Sequence, residues 1–460
     1  MAFEVHNLRE FIRSAGLSSN EGQNFSRFRQ KCYHIVMNNT QPLKGFRDFL
    51  PSEAEARNQV FDKVRTVFER YGFLPLETPA IEYKEVLSGK YGKEGEKLMY
   101  QFQDQGGRDV ALRYDLTVPL ARVIAQYPED LPIPFKRYQI APVWRADRPQ
   151  KGRFREFTQC DIDVVGTSAI LADAEVIACL NSSFKALGIE DVIVRVNNRK
   201  VLDGLMKAAD VPVKKSVEAI RALDKIDKIG KEAVQKELSD LGVGAKEQKK
   251  LFELLEVGLE DSADIESKLD EIEGAGELAE LVEALLDMEV RNYRIDLSLA
   301  RGLDYYTGTI FEFILPDAAD FGSVAGGGRY DKLLWMFSGK AVPAVGGSIG
   351  ADRLLDALEE LELVKYDLVS DVLVCNLDEK LEEKYLKVVQ ELRAAGIRTD
   401  FYYEPVKLDK QLKYADKKSV NFAVLIGEEE EKTEEATVKN LTTGKQERVK
   451  QKDLVKKLKG

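Results

Sequence analysis

Residues 53–71 repeat apolar side chains at the spacing of an amphipathic helix. The apolar face consists of Val60, Val64, Val67 and Phe68. Gly72 follows directly, and glycine commonly ends a helix because it accepts the left-handed backbone conformation. A second helix is predicted over residues 170–187. The first segment is therefore expected to bury one side against another part of the chain.

Between residues 110 and 165 the pattern changes to strand-like runs separated by turns, namely VALRYDL, FKRYQIAPVWRA and REFTQCDIDVVG. Charged side chains interrupt otherwise apolar strands, which predicts an antiparallel sheet that projects them from one face. Asp115 and Thr117 are two residues apart and would share a face of a strand. Farther along, residues 322–360 predict a glycine-rich turn, a strand and a helix.

Residues 199–290 differ in kind, because they are rich in Ala, Glu, Lys and Leu and contain Phe252 as their one aromatic residue. Glycines divide this stretch into several predicted helices. Sheet-like sequence resumes at Arg291. The pattern predicts a helical domain inserted into a sheet domain made of residues 41–198 and 291–366.

Residues 367–460 begin with alternating strand and helix patterns in the order βαβαβ, which predicts a separate mixed α/β domain. An acidic turn (EEEEKTEE), a hairpin and a basic end are predicted to follow. Residues 1–40 are polar and are predicted to form an extension, whose role the sequence does not indicate. The fold class is thus expected to be α+β.

Histidine is scarce, since His6 and His34 are the two histidines of the chain. A serine or cysteine nucleophile activated by histidine, and a zinc site built on histidine, are therefore excluded from the body of the protein. The four cysteines form no C-x-x-C pair, which argues against a zinc ribbon and a disulfide framework. An enzyme of this composition has to work by positioning and electrostatics, or with magnesium bound by carboxylates.

Hydropathy and charge limit the cellular location and the binding partners that the sequence allows. No apolar run approaches the roughly 20 residues that span a bilayer, and no secretory signal is visible, so a cytoplasmic location is expected. The net charge of −11 disfavours a nucleic-acid partner only weakly, because a local basic patch suffices to meet phosphates. Basic residues cluster in the ranges 145–155, 407–418 and 445–459.

The segment from Val143 to Gly166 contains many side chains that are suited to binding a ligand. Every second residue from position 155 to 163 would share one face of a strand. That face reads Arg155, Phe157, Gln159, Asp161 and Asp163. Guanidinium groups bind phosphates, an aromatic ring stacks on a base, and amide and carboxylate groups recognise a polar ligand. The segment therefore predicts a ligand site.

Two other segments point to a polar pocket. RGLDYYTG places two tyrosines beside an arginine and an aspartate, and each buried hydroxyl would require a partner. The glycines of GGGRYD and GGSIGADR allow a backbone to approach a ligand closely. Neither a P-loop nor the glycine spacing of a dinucleotide fold is present.

Taken together, these segments resemble the class II aminoacyl-tRNA synthetases. Arg145 with the basic loop and Phe157 is similar to the second motif of that family, and GGSIGADRLLDAL is similar to the third. Residues 73–79 resemble the first motif, which the family uses in dimerisation. RGLDYYTG and GGGRYD resemble two peptides peculiar to the histidine-specific members. The resemblance covers residues 43–460 and implies an antiparallel sheet flanked by helices, an inserted helical domain and a C-terminal anticodon-binding α/β domain.

The resemblance also implies a reaction, in which ATP with Mg²⁺ activates L-histidine to histidyl-adenylate and the histidyl group passes to the 3′ end of tRNA(His). A homodimer is implied as well. Arg145 and Arg301 are expected to be catalytic at the α-phosphate, because fixed positive charge stabilises this transition state without a base. No metal ligand of the chain itself is implied.

The resemblance assigns further residues by position. Those expected to bind histidine are Asp115, Thr117, Arg145, Gln159, Asp163, Arg301, Tyr305, Tyr306 and Tyr330. Those expected to bind ATP are Arg145, Arg153, Phe157 and Arg353. Those expected to bind tRNA are Arg148, Lys151, Arg155, Lys413 and Lys417.

The alternative is a non-catalytic paralogue, either a regulatory subunit of ATP phosphoribosyltransferase or a sensor of uncharged tRNA. RGLDYYTG, Arg145 and Arg353 are intact and residues 367–460 are present, which favours the enzyme. Histidine-dependent exchange of pyrophosphate into ATP separates the two interpretations, since only the enzyme supports it.

Overall fold

The computed structural model describes residues 40–89, 92–300, 305–364 and 371–459. Phe49–Gly460 form one compact unit, and the described residues before Phe49 belong to a second one. In that second unit Phe46 N donates to Leu43 O at 2.8 Å and closes a turn. The predicted extension lies almost wholly outside the described residues, and so does Arg301. No helix in the described ranges is long and apolar enough to cross a membrane.

Two sheets are built by the part of the compact unit that precedes residue 351. Their strands are β1 (Leu74–Pro75), β2 (Ile81–Tyr83), β3 (Gln101–Gln103), β4 (Asp109–Leu112), β5 (Phe135–Trp144), β6 (Glu156–Val165), β7 (Ile193–Asn198), β8 (Tyr293–Ile295), β9 (Thr309–Ile314), β10 (Ser323–Arg329) and β11 (Ala344–Gly350). The larger sheet has the order β1-β5-β6-β11-β10-β9-β7-β8. Its inner strands pair antiparallel, and each edge strand pairs parallel to its neighbour. The smaller sheet has the order β2-β4-β3.

Helices flank the larger sheet, as the α+β prediction requires. They are α1 (Pro51–Arg70), α2 (Lys84–Leu87), α3 (Gly92–Lys97), α4 (Thr117–Gln126), α5 (Ile170–Ala186), α6 (Arg199–Ala208), α7 (Ser216–Leu223), α8 (Ile226–Ile229), α9 (Lys231–Asp240), α10 (Ala245–Leu255), α11 (Ser262–Lys268), α12 (Ala275–Asp287), α13 (Trp335–Ser338) and α14 (Ala351–Glu360). The two predicted helices are confirmed as α1 and α5. Gly72 adopts a φ of +77° just beyond α1, which explains the glycine there.

The buried face of the larger sheet is apolar. Cys160, Ile162 and Val164, at even positions of β6, share one core with the inward faces of α1 and α5. Because strand side chains alternate between faces, the odd positions of β6 are left for the opposite side of the sheet. The sheet thus separates a packed core from the face that carries the polar residues.

The helices α6 to α12 lie between β7 and β8, where the sequence predicts a helical insertion. Their buried side chains belong to the same apolar core as the sheet and α5. The packing therefore runs without a break from the sheet into these helices. The exact limits of the insertion stay a prediction.

The C-terminal part forms its own mixed sheet. Its elements are β12 (Val372–Val374), α15 (Glu382–Ala394), β13 (Thr399–Phe401), α16 (Leu408–Lys417), β14 (Phe422–Leu425), α17 (Glu428–Thr433), β15 (Glu435–Asn440), β16 (Gln446–Lys450) and α18 (Leu454–Lys459). The strand order is β13-β12-β14-β15-β16. β12 pairs parallel with both of its neighbours, and the remaining pairs are antiparallel. The predicted βαβαβ order and the hairpin are confirmed.

Three local predictions were wrong. The strand that was expected to run through Thr117 ends at Leu112, and Thr117 begins α4. The glycine run 326–328 lies inside β10 instead of in a turn, because both neighbouring strands pair with it. The acidic run EEEEKTEE begins with α17 instead of a turn, and the Glu430 carboxylate accepts a hydrogen bond from Gly427 N at 3.1 Å at the start of this helix.

Candidate active site

The odd positions of β6 form one wall of a cavity of about 390 Å³. Phe157, Gln159, Asp161 and Asp163 line it, as the alternation of strand side chains predicts. Arg155, which was expected to begin this face, precedes β6 and does not line the cavity. The structure therefore brings an aromatic ring, an amide and two carboxylates into one row.

Asp163 is held from two sides. The fully buried Arg137 places Nη2 2.6 Å from Asp163 Oδ2, directly across the β5–β6 pair. The Tyr330 hydroxyl donates a hydrogen bond to Asp163 Oδ1. Burial raises the pKa of Asp163, and the Arg137 charge opposes this rise. Burial also raises the pKa of Tyr330 well above its usual value, with a further contribution from the Asp163 charge, so the hydroxyl keeps its proton.

Asp161 lies on the same wall and is almost fully buried. Burial raises its pKa to about 7, against the opposing charge of Arg137 and with the support of Asp163. Gln159 Nε2 donates to Ser348 Oγ at 2.9 Å and to Asp161 Oδ1 at 3.3 Å, which fixes the amide. The cavity thus contains a carboxyl group whose charge changes near neutral pH.

Glycines on two strands make room for this acidic end. Gly346 of β11 lies opposite Asp163 of β6, and a Cβ at Gly346 would overlap the Asp163 carboxylate. A Cβ at Gly327 of β10 would overlap the backbone of Gly346 and Gly347. Any side chain at these points would displace the strands or the carboxylate. The glycine runs therefore serve the close approach of strands beside the cavity.

Asp115 and Thr117 both line the cavity, but through a helix start instead of a strand face. Asp115 Oδ1 accepts a hydrogen bond from Val118 N at 3.0 Å in the first turn of α4. A short polar side chain at this position satisfies an N–H that the helix leaves without a partner. The buried Asp115 is thereby fixed at the cavity wall.

Arg145 lies between two aromatic rings. Its guanidinium is 4.4 Å from the ring centroid of Tyr114 and 5.1 Å from that of Phe157. Arg145 Nε also donates to Tyr114 O at 3.1 Å. A guanidinium held in this way needs little rearrangement when it meets an anion.

Two further arginines reach the cavity from other elements. Arg153 Nη2 lies 2.8 Å from Asp147 Oδ2 in the loop between β5 and β6. Arg353, in the first turn of α14, donates from Nη1 to Ser323 O at 2.6 Å and from Nε to Gly152 O at 3.4 Å. The cavity therefore has a basic side as well as an acidic one.

Tyr305 and Tyr306 close a further wall. Their rings pack edge to face with centroids 4.6 Å apart, and Tyr305 also meets the Tyr330 ring at 6.4 Å. Burial raises the pKa of Tyr305 well above its usual value, and nearby Tyr306 and Asp115 add to the rise. The Tyr305 hydroxyl therefore stays protonated and can donate, as the predicted polar pocket requires.

The cavity gathers most of the predicted ligand residues from separate parts of the chain. Those that line it are Asp115, Thr117, Arg145, Arg153, Phe157, Gln159, Asp163, Tyr305, Tyr306, Tyr330 and Arg353. Arg301 lies outside the described residues. Arg148 and Lys151, predicted for tRNA, are exposed in the β5–β6 loop and do not line the cavity.

Comparison with known proteins decides the family. Residues 45–354 match the family described as "Histidyl-tRNA synthetase", and residues 371–460 match the one described as "Anticodon binding domain". The chain belongs to the histidyl-tRNA synthetase family. Histidine--tRNA ligase of Clostridium tetani is 42% identical over 432 residues, which cover 91% of this chain and 97% of the relative. The crystal structure of histidyl-tRNA synthetase from Nostoc sp. PCC 7120 has a TM-score of 0.81 at 34% identity and covers 92% of this chain and 99% of that one.

As a histidyl-tRNA synthetase, the chain is an ATP-dependent ligase that joins histidine to tRNA, and its C-terminal part is an anticodon-binding domain. The predicted enzyme is thus confirmed, and the non-catalytic paralogue is not favoured. A Bacillus halodurans structure titled as an ATP phosphoribosyltransferase regulatory subunit/histidyl-tRNA synthetase has a TM-score of 0.69, and it covers 82% of this chain and 96% of that one. At 23% identity this likeness shows the fold alone.

Sequence reasoning missed several residues of the site. Arg137 was given no role, although a charged residue at an odd position of the apolar run FKRYQIAPVW was a usable signal. Asp161 was placed on the correct face without a role. Asp352 has no comparable signal: its carboxylate binds Arg57 Nη1 at 2.7 Å and accepts from Thr158 N at 2.6 Å, contacts that only the fold creates.

Proposed function

We propose that this cavity binds histidine at its acidic end and ATP at its basic end, and that it catalyses formation of histidyl-adenylate. The observation that carries the proposal is that the Asp163–Tyr330 pair and Arg145 line the same cavity. Attack of the histidine carboxylate on the α-phosphorus of ATP builds negative charge, which fixed guanidiniums stabilise. No general base is needed, because the carboxylate is already the nucleophile.

The acidic end suits the histidine side chain. A neutral imidazole has one N–H donor and one acceptor nitrogen. The Asp163 carboxylate, held by Arg137 and Tyr330, can accept from the ring N–H, and a tyrosine hydroxyl can donate to the other nitrogen. An amino acid that lacks these ring nitrogens would leave the buried polar groups without partners, and this cost supports discrimination. Asp115 and Thr117 would hold the α-amino group.

The basic end suits the nucleotide. Phe157 offers a ring on which adenine can stack, and Arg145 beside it can bind the α-phosphate. Arg353 and Arg153 would neutralise the remaining phosphate charge. Arg301, which lies outside the described residues, is proposed as a second contact to the α-phosphate from the resemblance of RGLDYYTG.

Mg²⁺ is proposed to enter bound to ATP, as part of the substrate. Within the described residues no group of three or more His, Cys, Asp or Glu side chains is arranged to hold a metal ion. Asp147 and Asp352 line the cavity, but each already pairs with an arginine, Arg153 and Arg57 respectively. Phosphate oxygens and waters would therefore supply most of the magnesium ligands.

The tRNA is proposed to meet two basic surfaces. In the β5–β6 loop, Arg148 is exposed, and the predicted Lys151 and Arg155 are engaged with Glu360 and the Asp147 carbonyl. In the anticodon-binding domain, the exposed Lys410, Lys413 and Lys417 follow one face of α16. The nearby Tyr403 is 83% exposed and offers a ring for base stacking.

A homodimer is proposed from the smaller sheet and the edge strand β1. Leu74, Ile81, Tyr83 and Phe102 are large apolar side chains that are about half exposed there. Burial against a second copy would remove this apolar surface from water. Light scattering after size exclusion should give twice the chain mass, and Leu74→Asp should shift it toward the monomer.

We also propose that the enzyme acts in the cytoplasm, and fractionation of its source cells would test this.

Histidine-dependent exchange of labelled pyrophosphate into ATP tests the proposal directly. Exchange should require histidine and should be lost in Arg145→Ala and in Arg301→Ala, while both variants keep the wild-type circular dichroism spectrum. Exchange at the wild-type rate in either variant would remove that arginine from the mechanism. A purified wild-type protein that gives no exchange would contradict the proposed site as a whole.

A further inference from the structure

Lys228 reaches the catalytic cavity from the helical segment between β7 and β8. It lies on α8 and lines the cavity together with residues of β6, β10 and β11. Its side chain is exposed, and no carboxylate of the described residues lies within ion-pair distance of its ammonium group. The neighbouring Lys225 and Lys231 instead pair with Glu237 and Glu256. Lys228 therefore brings a positive charge to the cavity, and neither Glu237 nor Glu256 neutralises this charge.

Asp227, the residue before Lys228, links α8 to the larger sheet through an ion pair. Asp227 Oδ2 lies 2.6 Å from Arg195 Nη1, and Arg195 extends from β7. Arg195 is itself mostly buried and pairs with Asp296 at 2.5 Å and with Glu312 at 2.7 Å. Asp296 and Glu312 thus hold the Arg195 guanidinium, and Asp227 links α8 to it. Because Asp227 and Lys228 are adjacent, this ion pair holds the part of the backbone from which the Lys228 side chain extends.

We propose that Lys228 binds the β- and γ-phosphates of ATP, and the pyrophosphate released from it, and that the Asp227–Arg195 pair positions Lys228 for this contact. The proposal rests on the proposed nucleotide site of the same cavity. The carboxylates deep in the cavity are buried and have hydrogen-bond or ion-pair partners, whereas the Lys228 ammonium group is exposed. A triphosphate is the most highly charged part of either small substrate, and an ammonium group binds phosphate as a compact point charge.

Lys228→Ala tests the contact in pyrophosphate exchange, with Lys225→Ala as the matched control. The control removes the same charge three residues away, from a side chain that does not line the cavity. We expect Lys228→Ala to raise the KM for ATP and for pyrophosphate about tenfold, the loss of one charge-assisted hydrogen bond. The KM for histidine should stay unchanged, Lys228→Arg should recover most of the affinity, and Lys225→Ala should match the wild type.

A double-mutant cycle tests the positioning role. Asp227→Asn should raise the KM for ATP less than Lys228→Ala does, and Asp227→Asn with Lys228→Ala should be no worse than Lys228→Ala alone. The unfolding temperature of Asp227→Asn should stay near that of the wild type, since Arg195 keeps two carboxylate partners. Additive effects on the KM for ATP would overturn the positioning role.

Two outcomes would overturn the phosphate contact. One is an unchanged KM for ATP and pyrophosphate in Lys228→Ala. The other is a defect confined to the KM for tRNA in aminoacylation, which would assign Lys228 to the phosphates of the tRNA end. Wild-type exchange is measured first, so a failure of the proposed site is distinguished from a failure of this contact.

Discussion

At the scale of single residues, the site depends on polar side chains that are fixed by buried partners. Asp163 is the clearest case, since Arg137 holds one carboxylate oxygen and Tyr330 holds the other. A buried charge without such partners would be costly. The same contacts keep the carboxylate in one orientation, which a selective imidazole site requires.

Tyr330→Phe tests this arrangement. Removing the hydroxyl frees Asp163 Oδ1, so the KM for histidine should rise about tenfold or more, while the KM for ATP stays near the wild-type value. Steady-state exchange kinetics measure both constants. Tyr385→Phe is the control, because its buried hydroxyl donates to Ile426 O at 2.9 Å in the anticodon-binding domain. An unchanged KM for histidine in Tyr330→Phe would contradict the proposed pocket.

Asp161→Asn tests the raised pKa of Asp161. Burial raises this pKa from 3.8 to about 7, so the folded state binds a proton in this interval that the unfolded state has lost. Wild-type stability should therefore fall as pH rises from about 4 to about 7, relative to a variant that cannot ionise at this position. Thermal unfolding is measured at pH 5 and pH 7.5, and the unfolding temperature of the variant relative to the wild type should be higher at pH 7.5 than at pH 5. The same difference in unfolding temperature at both pH values would contradict the raised pKa of Asp161.

At the scale of elements, paired strands bring the wall of the cavity together. Arg137 and Asp163 lie directly opposite each other on β5 and β6, and Gly346 lies opposite Asp163 on the other side. A shift of register by one residue would turn these side chains to the other face. The glycines of β10 and β11 therefore matter through the space they leave.

Gly346→Ala should impair histidine binding more than it impairs folding. The added Cβ would overlap the Asp163 carboxylate, so we expect the KM for histidine to rise at least tenfold. Gly276→Ala on α12 is the control, since a Cβ there meets no atom within 4 Å. Exchange kinetics and circular dichroism measure the two effects. A variant with wild-type KM for histidine would show that the strands adjust freely.

At the scale of the whole molecule, the proposed site of amino-acid activation and the anticodon-binding domain lie in different parts of the chain. The cavity is lined by residues between Asp115 and Arg353, whereas the anticodon-binding domain covers residues 371–460. The two parts have separate sheets and separate apolar cores. Changes in the second part should therefore affect tRNA and leave activation of histidine intact.

Lys413→Ala combined with Lys417→Ala tests this separation. Both lysines are exposed on α16, and the loss of two phosphate contacts should raise the KM for tRNA in aminoacylation about tenfold or more at low salt. The difference from the wild type should be smaller at high salt, because salt already weakens these contacts in the wild type. Pyrophosphate exchange should be unchanged. Lys380→Ala with Lys387→Ala removes the same charge elsewhere in this domain and should have little effect. Loss of exchange in the α16 variant would contradict the division of labour.

The sequence by itself determined the elements with a strong period and most of the side chains that line the candidate site. Apolar spacing predicted α1, and alternation predicted that Phe157 and Asp163 share a face. These predictions succeed because local periodicity reports directly which side of an element is buried. The resemblance of RGLDYYTG and GGGRYD to two peptides of the histidine-specific enzymes then indicated the family.

The tertiary structure alone decided which distant residues meet. That Arg137 supports Asp163, that Arg57 binds Asp352, and that Lys228 reaches the cavity depends on strand register and helix docking. It also decided that the glycine run forms a strand, since pairing on both sides outweighs the weak preference of glycine for turns. Side-chain patterns describe each element, whereas contacts between elements arise from packing that no single segment encodes.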